Sequence, residues 1–134
     1  MTDVHVLDAH TLIWHLEGNP KLGKSARAIL DDQNSRLVLP VIAVAEAIDV
    51  VRKGRTSLNS VSELLQDVFD DTRIEIEPLT VEILLESQNA LIVPEMHDRL
   101  ITATALSLKK QGFQVAVLTK DPDIIASKLV EIIW

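Results

Sequence analysis

Short apolar runs alternate with longer stretches of helical periodicity along this chain, and that alternation predicts the order of its elements. Val4, Val6 and Leu7 make a run too short for a helix, which predicts a buried strand ending at Asp8. Leu12, Ile13 and Leu16 then recur at helical spacing. A turn at Gly18, Asn19 and Pro20 separates that helix from a second, with Ala26, Ile29 and Leu30 on its apolar side and its end expected near Asn34 and Ser35. Leu37, Val38 and Leu39, closed by Pro40, predict a second strand. The next helix should run over 41–53 and stop at Gly54.

Asn59 and Ser60 have the character of a helix cap, followed by a helix over 61–69. Residues 73–76 predict a third strand before Pro78, and Thr80 begins a further helix with Glu82 in its first turn. After an interruption at Pro94, a long helix is expected over 98–110, ending at Gly112. Lys109 and Lys110 fall in its last turn, where cations suit the helix dipole. Residues 115–118 predict a fourth strand, 121–128 a short helix and 130–133 a final strand. Together these predict an α/β fold, a three-layer α/β/α sandwich around a central, mostly parallel sheet of four or five strands. The strand ending at Asp8 is expected in the sheet interior. No internal repeat, low-complexity tract or linker breaks the pattern, so residues 1–134 are expected to form one domain.

Composition narrows the chemistry. Cysteine is absent, which removes disulfides, thiolate zinc sites and cysteine nucleophiles, and fits a reducing compartment such as the cytoplasm. The longest apolar segment, residues 37–51, is broken by Pro40, Glu46 and Asp49, and no signal region opens the chain, so a soluble protein is expected. Thirteen basic residues against twenty acidic give a net charge of −7, which argues against broad electrostatic capture of nucleic acid. A phosphate substrate would need a divalent cation to invert the local field, helped by basic groups such as Arg52, Lys53, Arg55, Lys109 and Lys110. Charge runs of this kind also serve simply as solvated helix ends. Trp14, Phe69, Phe113 and Trp134 do not predict a stacking platform of the kind single-strand binders use.

Four carboxylates carry the candidate chemistry. Asp8 closes the first strand, where it either caps the following helix or points into the crevice at the carboxyl edge of a parallel sheet. Glu46 is an acid in a mostly apolar helix, about 8 Å from the same edge at 1.5 Å of rise per residue; the alternative places it in solvent beside Asp49. Asp98 heads an apolar helix, where it reads as a cap, yet a crossover helix starts at that carboxyl edge. Asp121 follows the fourth strand directly. Acids from four places thus share one rim, and a fold accepts such repulsion mainly where a cation neutralises it. An all-oxygen set favours Mg²⁺ or Mn²⁺ over zinc. His5, His10, His15 and His97 form no i, i+4 pair and read as structural or supporting residues.

Four stretches, LDAHTLIW, AEAIDVVRKGR, DRLITATAL and VLTKD, together resemble the PIN domain family over nearly the whole chain, specifically the toxin nuclease of a VapBC-type toxin–antitoxin pair. The resemblance implies a Mg²⁺- or Mn²⁺-dependent endoribonuclease with Asp8, Glu46, Asp98 and Asp121 as its acidic site and Thr119 holding Asp121. Asp8, Asp98 and Asp121 would hold the metal, with Glu46 either ligating it or orienting the attacking water. It further implies RNA as substrate, a VapB-type antitoxin as partner, and a homodimer. The helix carrying Ala26, Ile29 and Leu30 and the VIAVAEAIDVV helix are the candidate shared surface. The chain departs from the family pattern at Ala9, Ala45, Asp49, Glu95 and Met96; Glu95 reads as an extra ligand or a loop charge, and Asp123 is similarly ambiguous. Two other readings compete: a PIN-like module kept only for binding, and a receiver-like signalling domain. The receiver pattern has an acidic pair after strand one, where this chain offers only Asp8.

Overall fold

The computed structural model describes residues 2–134 and turns the alternation of runs into a sheet that is parallel throughout. The elements are β1 (Val4–Leu7), α1 (Ala9–Glu17), α2 (Lys24–Asp31), β2 (Leu37–Pro40), α3 (Val41–Arg52), α4 (Val61–Asp70) and β3 (Ile74–Glu77). They continue with α5 (Val81–Glu86), a 3-10 turn (Ser87–Ala90), α6 (Met96–Lys110), β4 (Val115–Leu118), α7 (Pro122–Ser127) and β5 (Glu131–Ile133). The strands lie in the order β3-β2-β1-β4-β5, with helices flanking the sheet.

Strand β1 is central, as its apolar residues require: Val4, Val6 and Leu7, on either side of His5, are fully buried between helix layers. Edge strand β3 instead leaves Glu75 and Ile76 exposed. From β1 the chain winds outward through β2 to β3, then returns to place β4 and β5 on the other side. The direction of winding therefore reverses between β1 and β4. Helices leave in opposite directions there, which opens a crevice at the carboxyl ends of those two strands.

Several boundaries differ from the sequence expectation, each for a local reason. Helix α6 begins at Met96 rather than 98, because the Glu95 side chain accepts the Asp98 backbone N–H at 2.8 Å and takes the capping role. Asp98 is thus not the cap, and Glu95 is more than a loop charge. Helix α2 stops at Asp31, short of Asn34, where Asp32 Oδ1 accepts the Asn34 N–H at 2.9 Å and turns the chain. The short helix after β4 begins at Pro122, with Asp121 capping it through bonds from Asp123 and Ile124.

The two helices expected to supply a shared surface are largely engaged within the chain. Ala26 and Leu30 of α2, and Ala43, Val44, Ala47 and Val51 of α3, are buried in the chain's own core. Their apolar faces are already covered. Exposed apolar side chains gather instead on Val81, Leu84 and Leu85 of α5 and on Leu91, Ile92 and Met96 before and at the head of α6. Helix α5 and the 3-10 turn after it pack on α6, so these side chains belong to neighbouring elements. No described helix is long and apolar enough to cross a membrane.

Candidate active site

The crevice at the switch point is a cavity of about 450 Å³, lined by Asp8, Ala9, His10, Thr11, Trp14, Glu46, Glu95, Asp98, Lys120, Asp121 and Trp134. All four acids singled out in the sequence line it. Asp8 arrives at the end of β1 and Asp121 two residues beyond Thr119 at the end of β4. Glu46 projects from α3, which packs on α1 and α6, and Asp98 from the first turn of α6.

Asp8 does both things its sequence position allowed. It caps α1, its Oδ1 accepting the Thr11 N–H at 2.9 Å, and it lines the cavity. Its Oδ2 accepts the Thr119 hydroxyl, and Thr119 Oγ1 in turn accepts the Asp121 N–H at 3.0 Å. One buried hydroxyl therefore fixes two of the acids. The Thr11 hydroxyl donates to the Leu118 carbonyl at 2.7 Å, tying α1 to β4 directly beneath them. Asp8 thus has both oxygens engaged and one orientation.

Burial and crowding together set the electrostatics. Half-burial pushes the Glu46 carboxyl up to about 7; Glu95, Asp8 and Asp121 add to the rise, while His97 opposes it. Burial likewise raises Asp98 to about 7, reinforced by Asp121, Glu95 and Glu46. Although burial acts to raise Glu95, bonds from Asp98 and His97 hold its carboxyl below the usual range. His97 Nδ1 lies 2.6 Å from Glu95 Oε1, and that bond, with Glu46 and Asp98 nearby, raises the imidazole. Among the described residues, no Lys or Arg forms an ion pair with Asp8, Glu46, Asp98 or Asp121.

The donor set is all carboxylate, and burial, reinforced by repulsion from neighbouring acids, raises Glu46 and Asp98 within it, a combination that suits a hard cation such as Mg²⁺ or Mn²⁺. No group of three or more His, Asp or Glu side chains among the described residues is already drawn into a ligand cluster. The acids line the cavity wall, and a cation would have to draw them inward. Asp123 is exposed and does not line the cavity. Neither do Arg52, Lys53, Arg55, Lys109 and Lys110; Lys53 pairs with Asp49, and Lys110 Nζ lies 2.5 Å from buried Glu86.

The aromatic part of the lining was not foreseen. Trp14 of α1 and Trp134, 120 positions apart, meet with ring centroids 5.9 Å apart in an edge arrangement, and His10 lies 5.7 Å from Trp14. The ammonium groups of Lys120 and Lys21 stand 5.7 and 5.9 Å from the Trp14 ring centroid. Sequence spacing alone gave no sign that these two rings meet. No local pattern links them: β5 pairs in parallel with β4 and carries Trp134 to the cavity.

A family model described as PIN domain matches residues 5–128. Among solved structures, the chain is similar to one of VapBC2 from Rickettsia felis bound to a DNA fragment from their promoter, at 14% identity and a TM-score of 0.68, covering 97% of each chain. It is also similar to FitAcB from Neisseria gonorrhoeae, at 18% identity and a TM-score of 0.64, covering 97% of this chain and 96% of that one. VapBC-1 from nontypeable Haemophilus influenzae aligns at 18% identity and a TM-score of 0.65, with 97% of this chain and 96% of that one covered. At these identities the likeness shows the fold. No curated protein matches the chain.

Proposed function

The chain belongs to the PIN domain family, and from that premise we propose that it is a metal-dependent endoribonuclease, the toxin of a type II toxin–antitoxin pair. The observation that carries this is the lining of one switch-point cavity by Asp8, Glu46, Asp98 and Asp121, which four separate elements deliver. Asp8, Asp98 and Asp121, with Glu46 beside them, would hold Mg²⁺ or Mn²⁺, which when bound supplies water activation and charge stabilisation at a phosphodiester. Thr119 and Thr11 keep Asp8 in one orientation, a fixed point about which the other acids would gather. Glu46 stands where it can ligate or orient the attacking water. Lys120 places a cation on the rim of an otherwise acidic cavity, where a substrate phosphate needs one.

Solved structures similar to this chain include VapBC and FitAB structures, which supports a VapB-type antitoxin as partner. A basic side chain of that partner in the acidic cavity would act as a cation does. The apolar face of Val81, Leu84, Leu85, Leu91, Ile92 and Met96 is the surface we assign to pairing with a second copy of the chain. A second reading, a PIN-like module that binds without cutting, draws on the absence of a preformed ligand cluster among the described residues. Incubating single-stranded RNA with the protein, in EDTA and in Mn²⁺, separates the two. Cleavage confined to Mn²⁺ supports the nuclease; intact RNA in both leaves only the binding module.

A further inference from the structure

The cavity lining combines two kinds of chemistry, the carboxylates on the one hand and Trp14, Trp134, His10 and Lys120 on the other. Building on the nuclease reading, we propose that Trp14, Trp134 and Lys120 form a shelf that stacks an unpaired nucleobase of the RNA and holds its adjoining phosphate beside the acids. Substrate specificity would then favour single strands.

Three observations carry the proposal independently of the acids. The two indoles meet edge to face at a centroid distance of 5.9 Å and, though packed against the core on one side, both line the cavity. Every nucleobase has a π-face, so such surface binds single strands without needing a particular sequence. Lys120 is exposed, and its ammonium rests 5.7 Å from the Trp14 ring centroid, a contact weak enough to be exchanged for a phosphate. A base would take the lysine's place on the ring as the lysine takes up the adjoining phosphate, in the same step.

The placement of Trp134 is also built in. A Cβ at Gly23 would stand 2.5 Å from the Trp134 backbone carbon and 2.6 Å from its ring, so only glycine at position 23 lets the indole seat where it does. An exposed aromatic at a chain end could sit anywhere. This one is held against α2 and faces the cavity.

Trp14 and Trp134 are the chain's only tryptophans, so its intrinsic tryptophan fluorescence reports on the shelf alone. The test titrates the full-length protein with single-stranded hexauridylate, and with an abasic hexamer of the same backbone, in EDTA and again in Ca²⁺ at low ionic strength. The RNA should quench the fluorescence saturably and the abasic strand should not. Trp134→Leu should weaken RNA binding about tenfold, and Trp14→Phe, which keeps an aromatic face, should weaken it less. Lys120→Ala should weaken both strands and reduce the salt slope by about one. Gly23→Ala, which keeps both indoles and all four acids but displaces Trp134, should behave like Trp134→Leu while remaining folded by circular dichroism.

Equal affinity for RNA and abasic strand, or no saturable quenching in either buffer, overturns the shelf. Quenching by an arginine-rich peptide with none by RNA assigns this part of the lining to a protein partner and overturns the shelf as well. The two readings fail separately. Wild type that cuts RNA with Mn²⁺ while the tryptophan variants bind as wild type sinks only the shelf, whereas wild type that neither cuts nor binds RNA sinks the nuclease.

Discussion

Asp8 and Thr119 stand side by side, each one residue past the end of its strand, because Leu7 and Leu118 are register partners in the parallel pairing of β1 and β4. Their side chains are hydrogen-bonded across the switch point, and the same threonine oxygen accepts the Asp121 N–H. Strand register thus sets the geometry of two acids through one hydroxyl.

Removing that hydroxyl should cost stability and order together. Thr119→Val keeps the buried shape but leaves an Asp8 oxygen and the Asp121 N–H without their partner, a loss of about 1–3 kcal/mol. Thr119→Ser should recover most of it. Chemical denaturation of the three proteins checks this, and equal midpoints for the valine and wild-type proteins would contradict the positioning role.

The pH dependence of the metal-free protein follows from Glu46 and Asp98. Both carboxyls hold their proton to about pH 7 in the folded protein, against ordinary values of 4.5 and 3.8. As pH rises from 4 to 7 the unfolded chain releases these protons first, so the two groups progressively withdraw stability over that window. Above it their cost is constant. Glu46→Gln should therefore raise the melting temperature at pH 8 in EDTA, by about 3–5 °C for roughly 1 kcal/mol after solvent screening, and change little at pH 4. A difference that is larger at pH 4 would reverse the assignment.

Glu95 caps α6 while pairing with His97, two roles that different substitutions separate. Glu95→Gln keeps an accepting oxygen and should hold stability to within a few tenths of a kcal/mol, whereas Glu95→Ala should lose about 1 kcal/mol. In both, the His97 pKa should fall, because the bond and charge that raise it are weakened or gone. Proton-detected titration of the imidazole reads this. An unmoved pKa in the alanine variant would show that Glu95 does not govern His97.

The exposed face of α5 makes a prediction about assembly. Leu84→Glu with Leu85→Glu should leave the fold intact, since both side chains are exposed, and should turn a dimer into a monomer. Sedimentation at micromolar concentration decides it. A wild-type monomer, or a dimer that survives both changes, would remove this face from the account.

Much of this was legible in the residues. β1 and β4 are near-continuous apolar runs that end in Asp8 and in Thr119 with Asp121, so a buried parallel sheet and acids at one edge follow from local pattern alone. What was not legible depended on contacts between distant segments. The true cap of α6 lay three residues before Asp98 because Glu95, a less usual cap, reaches its N–H. Apolar periodicity in α2 and α3 could not reveal that their faces are covered within the chain, nor that α5 is left bare. The meeting of Trp14 and Trp134 required knowing that β5 lies beside β4, a pairing that no stretch of sequence states.

The central claim is that the four acids act through a bound cation, and cleavage of single-stranded RNA by wild type and Asp98→Asn, each in EDTA and in Mn²⁺, tests it most directly. Asp98 is not the helix cap, so Asn removes one crowded charge without removing a capping bond, and the metal-free variant should melt at the wild-type temperature or above. Wild type should cut only with Mn²⁺, and the variant should lose about 100-fold or more of that activity. Mn²⁺-dependent cleavage retained in Asp98→Asn, or wild-type cleavage indifferent to the cation, would contradict the account.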